Sequence, residues 1–137
     1  MRKCSVFIVD DDEDDRYMIK RYLRKCKLVG TVREFEDGKY ALEYIETICG
    51  KSNKTATSFA IVLLDINMPL VGGFEFLETL KKFEENQGLA VSIIVMSSSK
   101  TEADIKKSLS YSYVKDFVFK GDITDEFLCE NIRNLGH

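Results

Sequence analysis

Val6-Phe7-Ile8-Val9-Asp10-Asp11-Asp12 runs from uninterrupted apolar residues straight into three adjacent carboxylates. An apolar run of this length with a polar stop reads as a strand covered on both faces. A second run, Ala60-Ile61-Val62-Leu63-Leu64, ends the same way at Asp65. In an open parallel sheet both ends face the same ligand-binding edge. Carboxylates crowded together repel, so a positive charge belongs among them. Asp10, Asp11 and Asp65 on one edge suggest a Mg²⁺ site, because Mg²⁺ takes hard oxygen ligands and is commonly held by one or two carboxylates with phosphate and water.

The rest of the chain alternates regularly around these two strands. After Val6–Val9, a helical stripe of Met18, Ile19, Tyr22, Leu23 and Cys26 follows, with Asp12 or Asp14 available as N-cap. Thr31 to Phe35 carries Arg33 and Glu34, as an edge strand does. Asp37-Gly38 leads into a helix with Ala41, Leu42, Ile45, Ile48 and Cys49 on its apolar face and Gly50 as its stop. Lys51 to Ser58 is polar and reads as a surface connection.

Strand three spans about Phe59 to Asp65, and Phe74, Leu77 and Leu80 mark a helix ended by Gly88. Val91 to Met96 is a buried strand that stops at Ser97-Ser98-Ser99, followed by a helix through Ile105 and Leu109. Asp116 to Phe119 is the fifth strand, and Leu128, Ile132 and Leu135 stripe the last helix. Strands that each connect through a whole helix must run parallel, and right-handed crossovers place helices on both faces. The expected fold is therefore α/β and doubly wound. The order 2-1-3-4-5 is that of flavodoxin-like sheets.

At 137 residues the chain fits one domain, residues 1–137, able to bury roughly two-thirds of its unfolded surface. A net charge of −3 argues against a general nucleic-acid binder. Lys20, Arg21, Arg24, Lys25 and Lys27 cluster at helical spacing and read as the wet face of an amphipathic helix. No apolar run approaches the roughly 20 residues of a membrane span, so a cytoplasmic protein without membrane contact is expected. Cys4, Cys26, Cys49 and Cys129 form no Cys-x-x-Cys pair, which excludes zinc and suggests buried, reduced thiols. His137 is the single histidine and is terminal, so it reads as solvated rather than as part of a site.

On this scaffold Asp10, Asp11, Asp65, Ser97 and Lys120 all fall at strand ends on one edge. A carboxylate, a divalent cation, a hydroxyl and an ammonium around one point can hold a phosphoryl group. The carboxylate attacks, the cations neutralise oxygens, and the hydroxyl donates a hydrogen bond.

Val9-Asp10-Asp11-Asp12, Leu64-Asp65-Ile66-Asn67-Met68-Pro69 with Gly72-Gly73, Ser97-Ser98 and Phe117-Val118-Phe119-Lys120 together resemble the receiver domain of two-component response regulators. The resemblance covers essentially the whole chain. It implies that Asp65 is the phosphoacceptor, Asp10 and Asp11 the acidic pair, Ser97 the switch hydroxyl, Phe117 the rotating aromatic and Lys120 the phosphoryl-contacting lysine. By the same resemblance the Asn67 main-chain carbonyl is a Mg²⁺ ligand beside Asp11 and Asp65. The implied partners are a histidine kinase or phosphotransfer protein upstream and a target protein downstream. The implied activity is that of a switch, not a conventional enzyme. Two positions depart from the pattern: Gly121 follows Lys120 where proline is usual, and Tyr113 stands where a helix-ending glycine is common.

Three rivals are weaker. Asp10-x-Asp12-x-Asp14 has calcium-loop spacing, but Asp15 and Arg21 replace the required glycine and glutamate. Haloacid-dehalogenase-type phosphatases carry the nucleophile on the first strand and the acidic pair last, the reverse order. Asp65-Ile66-Asn67 also lacks their second aspartate. A pseudo-receiver, an interaction module without phosphorylation, would have lost pocket residues that are all present here.

Overall fold

The computed structural model describes residues 3–52, 60–68, 71–87 and 91–135. In chain order these form β1 (Cys4–Val9), α1 (Glu13–Arg24), β2 (Val29–Phe35), α2 (Gly38–Ser52), β3 (Ala60–Asp65), α3 (Gly73–Gln87), β4 (Val91–Ser97), α4 (Glu102–Leu109), β5 (Val114–Phe119) and α5 (Asp125–Leu135). The strands make one parallel sheet in the order β2-β1-β3-β4-β5. The expected flavodoxin-like doubly wound topology is therefore observed. No helix among the described residues is long and apolar enough to cross a membrane.

Side-chain alternation divides the core between the two faces of the sheet. Phe7, Val9, Val62, Leu64, Ile93 and Val95 meet Ala41 and Ile45 of α2 and Phe76, Leu77 and Leu80 of α3. Val6, Ile8, Ile61, Leu63, Ile94 and Met96 meet Ile19 and Leu23 of α1 and Leu128 and Ile132 of α5. Because β1, β3 and β4 are apolar on both sides, they occupy the centre; each Leu or Ile so enclosed contributes about 1.5–3 kcal/mol. β2, with exposed Arg33 and Glu34, sits at the edge.

Asp12 is the N-cap of α1, its carboxylate accepting from the N–H groups of Asp14 (2.8 Å) and Asp15 (3.2 Å). Glu13, Asp14 and Asp15 in the first turn and Arg21 and Arg24 in the last suit the helix dipole. Residue Met18 is exposed despite its place in the apolar stripe, since it lies about 100° around the helix from Ile19. Leu109 is also exposed; α4 turns the small Ser108 inward instead. Gly50 does not stop α2, which continues to Ser52, and β2 and β5 each begin two residues before the expected points. Most of the 51–58 connection and Gly88 lie outside the described residues.

The expectation of reduced thiols is corrected for two of the four cysteines. Cys26, just beyond α1, and Cys129, in α5, form a disulfide with Cα atoms 5.4 Å apart. Their separation of 103 residues hides this pairing from any spacing argument; it arises because α1 and α5 pack side by side on one face of the sheet. Cys4 is a buried free thiol, raised above its ordinary pKa by that burial. The Cys49 side chain lies outside the described residues.

Closing so long a loop restricts the unfolded chain strongly. The oxidised protein will be lighter than the reduced one by two hydrogens, and reduction will lower its stability in denaturant by about 2–4 kcal/mol. Cys26→Ser/Cys129→Ser will be insensitive to reductant; identical transitions for the oxidised and reduced wild type would remove the bridge from the account.

Candidate functional site

Strand register builds the site. Val9 pairs with Leu64, Asp65 with Met96, and Ser97 with Phe119. Asp10, Asp65, Ser97 and Lys120 are thus placed at or one step beyond the ends of four neighbouring parallel strands. Phe117, paired with Val95, lies one pleat below Phe119.

Asp10 and Asp65 are 0% and 3% exposed, an unusual burial for carboxylates. Their backbone surroundings compensate in part. Asp10 Oδ1 accepts the Asp12 N–H (2.9 Å), and Asp65 Oδ1 accepts the Asn67 N–H (3.1 Å). The Asp10 carbonyl accepts from Arg16 Nη1 (2.7 Å), while Arg16 Nε and Lys20 Nζ both pair with Glu34. Ser97 is fully buried; its Oγ accepts the Ser99 N–H (3.1 Å) and lies 3.5 Å from Asn67 Nδ2.

One ammonium faces this crowd of acids. Lys120 Nζ is 2.7 Å from Asp15 Oδ2, 2.9 Å from Asp10 Oδ2 and 3.5 Å from Asp65 Oδ2. Burial alone would lower the Lys120 pKa, but hydrogen bonding to Asp15, then the close Asp10 and the charge of Asp65, outweigh it and raise it above the ordinary lysine value. Asp65 is pushed up to about 6, first by burial and then by the charge of Asp10 and contact with it; the Asn67 N–H and Lys120 oppose this rise.

Asp10, Asp11 and Asp65 offer carboxylate oxygens all within 4.8 Å of one another. Asp11 is exposed, leaving one side open to water. Asp10 Oδ2 is buried and has no hydrogen-bond donor; Lys120, though 2.9 Å away, supplies charge without a directed hydrogen bond. Three hard carboxylates within reach of one another, with one side open, fit an oxygen-seeking divalent cation.

The departures noted in the sequence have local causes. Lys120–Asp122 is a 3₁₀ turn, and a side chain at Gly121 would place its Cβ 2.5 Å from the Phe119 ring. Gly73 is needed for the same kind of reason, because a Cβ there would lie 2.5 Å from the Ile66 Cα and push α3 off the loop after Asp65. Tyr113 is buried, its ring beside Tyr111 and its hydroxyl donating to the Leu77 carbonyl of α3. The turn before β5 is closed by the Val114 N–H on the Tyr111 carbonyl (3.0 Å).

All of the expected site residues gather at this edge except Phe117, which is half-buried against the α2–α3 side of the core. Phe117 borders a groove of about 310 Å³ with Ile105, Phe119 and Phe127. Asp15 was not foreseen. Its partner Lys120 is 105 residues away, and in the linear sequence it is one more acid in a helix's first turn.

Residues 6–133 match the response regulator receiver domain family. The two-component response regulator ARR7 of Arabidopsis thaliana is 31% identical over 122 residues, covering 86% of this chain and 56% of ARR7's own length. Among solved structures, the receiver domain of the histidine kinase CKI1 from Arabidopsis thaliana, complexed with Mg²⁺ and BeF₃⁻, superimposes with a TM-score of 0.81 at 22% identity, over 98% of this chain and 91% of that one. The receiver domain of Ssk1, crystallised with the Saccharomyces cerevisiae phosphotransfer protein Ypd1, gives a TM-score of 0.77 at 20% identity, over 98% and 90%. At these identities the structures establish a common fold. The family match over residues 6–133 establishes more: the chain belongs to the response regulator receiver domain family.

Proposed function

We propose that this receiver, taken as one domain over residues 1–137, is a phosphorylation-dependent switch of two-component signalling in which Asp65 accepts a phosphoryl group from a histidine kinase or phosphotransfer protein. The observation that carries the reading is the near-complete burial of Asp65 with Lys120 Nζ 3.5 Å away. A carboxylate is kept in such a place at a cost in desolvation, which a structural role would not require. In the transfer, an Asp65 oxygen bonds to phosphorus while the P–N bond of the donor's phosphohistidine breaks, and the imidazole leaves with a proton. Asp10, Asp11, Asp65 and the Asn67 main-chain carbonyl are the set that would hold Mg²⁺, whose chemistry is to neutralise phosphoryl oxygens. Lys120 neutralises a further oxygen, and Ser97 donates a hydrogen bond from its hydroxyl.

The same residues support self-phosphorylation from small donors and slow self-dephosphorylation, so the protein acts as its own limited catalyst. Its output is a contact with a downstream target protein, without direct nucleic-acid or membrane binding. A cytoplasmic setting is part of this proposal.

Acetyl phosphate with Mg²⁺ will add one phosphoryl mass to the wild type and none to Asp65→Asn, whose amide is not a nucleophile. Undiminished labelling of Asp65→Asn would refute the assignment.

Stability without metal should follow the Asp65 carboxyl. Its folded pKa of about 6 exceeds the ordinary 3.8, so the group contributes stability at low pH that is lost as pH rises through about 6. Asp65→Asn will therefore be more stable than wild type above pH 6, by up to about 2–3 kcal/mol, with the gain fading toward pH 4. Asp11→Ala will be slightly stabilised without metal and bind Mg²⁺ more weakly. Thermal melts across pH, with and without Mg²⁺, measure both effects; a strongly destabilised metal-free Asp11→Ala would make Asp11 structural.

A phosphoryl group on Asp65 would draw the Ser97 hydroxyl inward, and the vacated space would admit the Phe117 ring, reshaping the face of α4, β5 and α5. Phe117 has no hydroxyl, so packing alone governs its turn. Ser97→Ala will still be phosphorylated but lose most of the change around Phe117, and Lys120→Ala will uncouple phosphorylation from it. Aromatic NMR shifts with and without beryllofluoride report this. Static Phe117 shifts beside responsive pocket amides would place the output elsewhere.

A further inference from the structure

Asp15 has no part in the reaction proposed above, yet it makes the shortest contact with Lys120. Its Oδ2 lies 2.7 Å from Nζ and accepts a hydrogen bond from it, whereas Asp65 Oδ2 is at 3.5 Å. The carboxylate is itself held in place. Asp15 stands in the first turn of α1, its N–H donating to the Asp12 cap (3.2 Å), where the helix dipole favours negative charge. Lys120 is 17% exposed at the side chain and Asp15 30%, so the pair is partly shielded from water. Asp15 is also absent from the group of three carboxylates able to share a cation.

An ammonium has three N–H donors and a single charge to distribute. A tetrahedral anion on Asp65 must draw one donor and much of that charge toward itself, and Asp15 competes for both. We propose that Asp15 is a positioning residue that acts through Lys120, holding the ammonium toward α1 and thereby weakening the pocket's grip on a phosphoryl-like anion. This inference rests on Asp65 being the phosphoacceptor. It assigns to the first turn of α1 a means of setting how readily the switch is turned on, separate from the metal ligands.

Removing the competing charge has a definite sign. Asp15→Asn will bind beryllofluoride at saturating Mg²⁺ about fivefold more tightly than wild type, the scale of a partly exposed ion pair. Its Mg²⁺ affinity will change less and in the opposite direction, because an anion has been lost near a cation site. The Lys120 Cε resonance of the anion-free protein will move in Asp15→Asn and return toward its wild-type position in Asp15→Glu, a response that a merely helix-stabilising residue would not produce. Thermal melts confirm that each variant is folded at the temperature used.

Equal or weaker beryllofluoride binding by Asp15→Asn, beside a responsive wild type, overturns the inference alone. An unmoved Lys120 resonance in Asp15→Asn does the same. A wild type that fails to bind beryllofluoride with Mg²⁺ overturns both this inference and the phosphoacceptor reading.

Discussion

Two carboxylates buried side by side against a single ammonium are the constraint on which this edge of the molecule depends. Asp10 and Asp65 have lost nearly all their water, and Lys120 Nζ lies 2.9 Å and 3.5 Å from their carboxylate oxygens. Desolvation is the largest cause of the raised Asp65 pKa, and the neighbouring negative charge adds to it. The backbone N–H groups of Asp12 and Asn67 each satisfy one carboxylate oxygen, and the Asp10 Oδ2 oxygen is left without a donor. The edge is consequently short of positive charge: Asp10, Asp11 and Asp65 share one sheet edge with the Lys120 ammonium.

Such a cluster survives because its scaffold is rigid and apolar. Residues on both sides of β1, β3 and β4 are enclosed by helices, and that burial outweighs the charge repulsion at the ends of β1 and β3. Close packing then sets where the loops run. Gly73 lets α3 start against Ile66 just after Asp65, and Gly121 leaves room for the Phe119 ring beside the turn that carries Lys120. Tyr113 fastens the β5 entrance to α3 through the Leu77 carbonyl. These contacts fix the loops that carry Asp65 and Lys120 at the candidate site.

The helix faces divide the remaining work. α1 carries acids at the pocket end, a basic wet face further on, and a disulfide link to α5 beyond its last turn. Its first turn is therefore tied to Lys120 by charge while its far end is tied covalently to the helix that follows Lys120. On the opposite side of the sheet, Lys107 of α4 lies over the Phe74 ring at the start of α3. On that side α4 buries only Ser108 fully.

The sequence by itself determined the class of fold and the sheet edge at which Asp10, Asp11, Asp65, Ser97 and Lys120 gather. Apolar runs in β1, β3 and β4 require cover on both faces, and carboxylates, serine and lysine at run ends require a common edge once the strands are parallel. Those are local patterns, legible because period and polarity are properties of neighbouring residues. What only the tertiary structure decided involves pairs distant in the chain: Cys26 with Cys129, Asp15 with Lys120, and Tyr113 with Leu77. The exposure of Met18 and Leu109, and the run of α2 past Gly50, also waited on packing, since a helical stripe states which face is apolar but not how wide its neighbour is or where the helix stops being supported. Periodicity fixes each element's face; only the packed neighbours fix what meets that face.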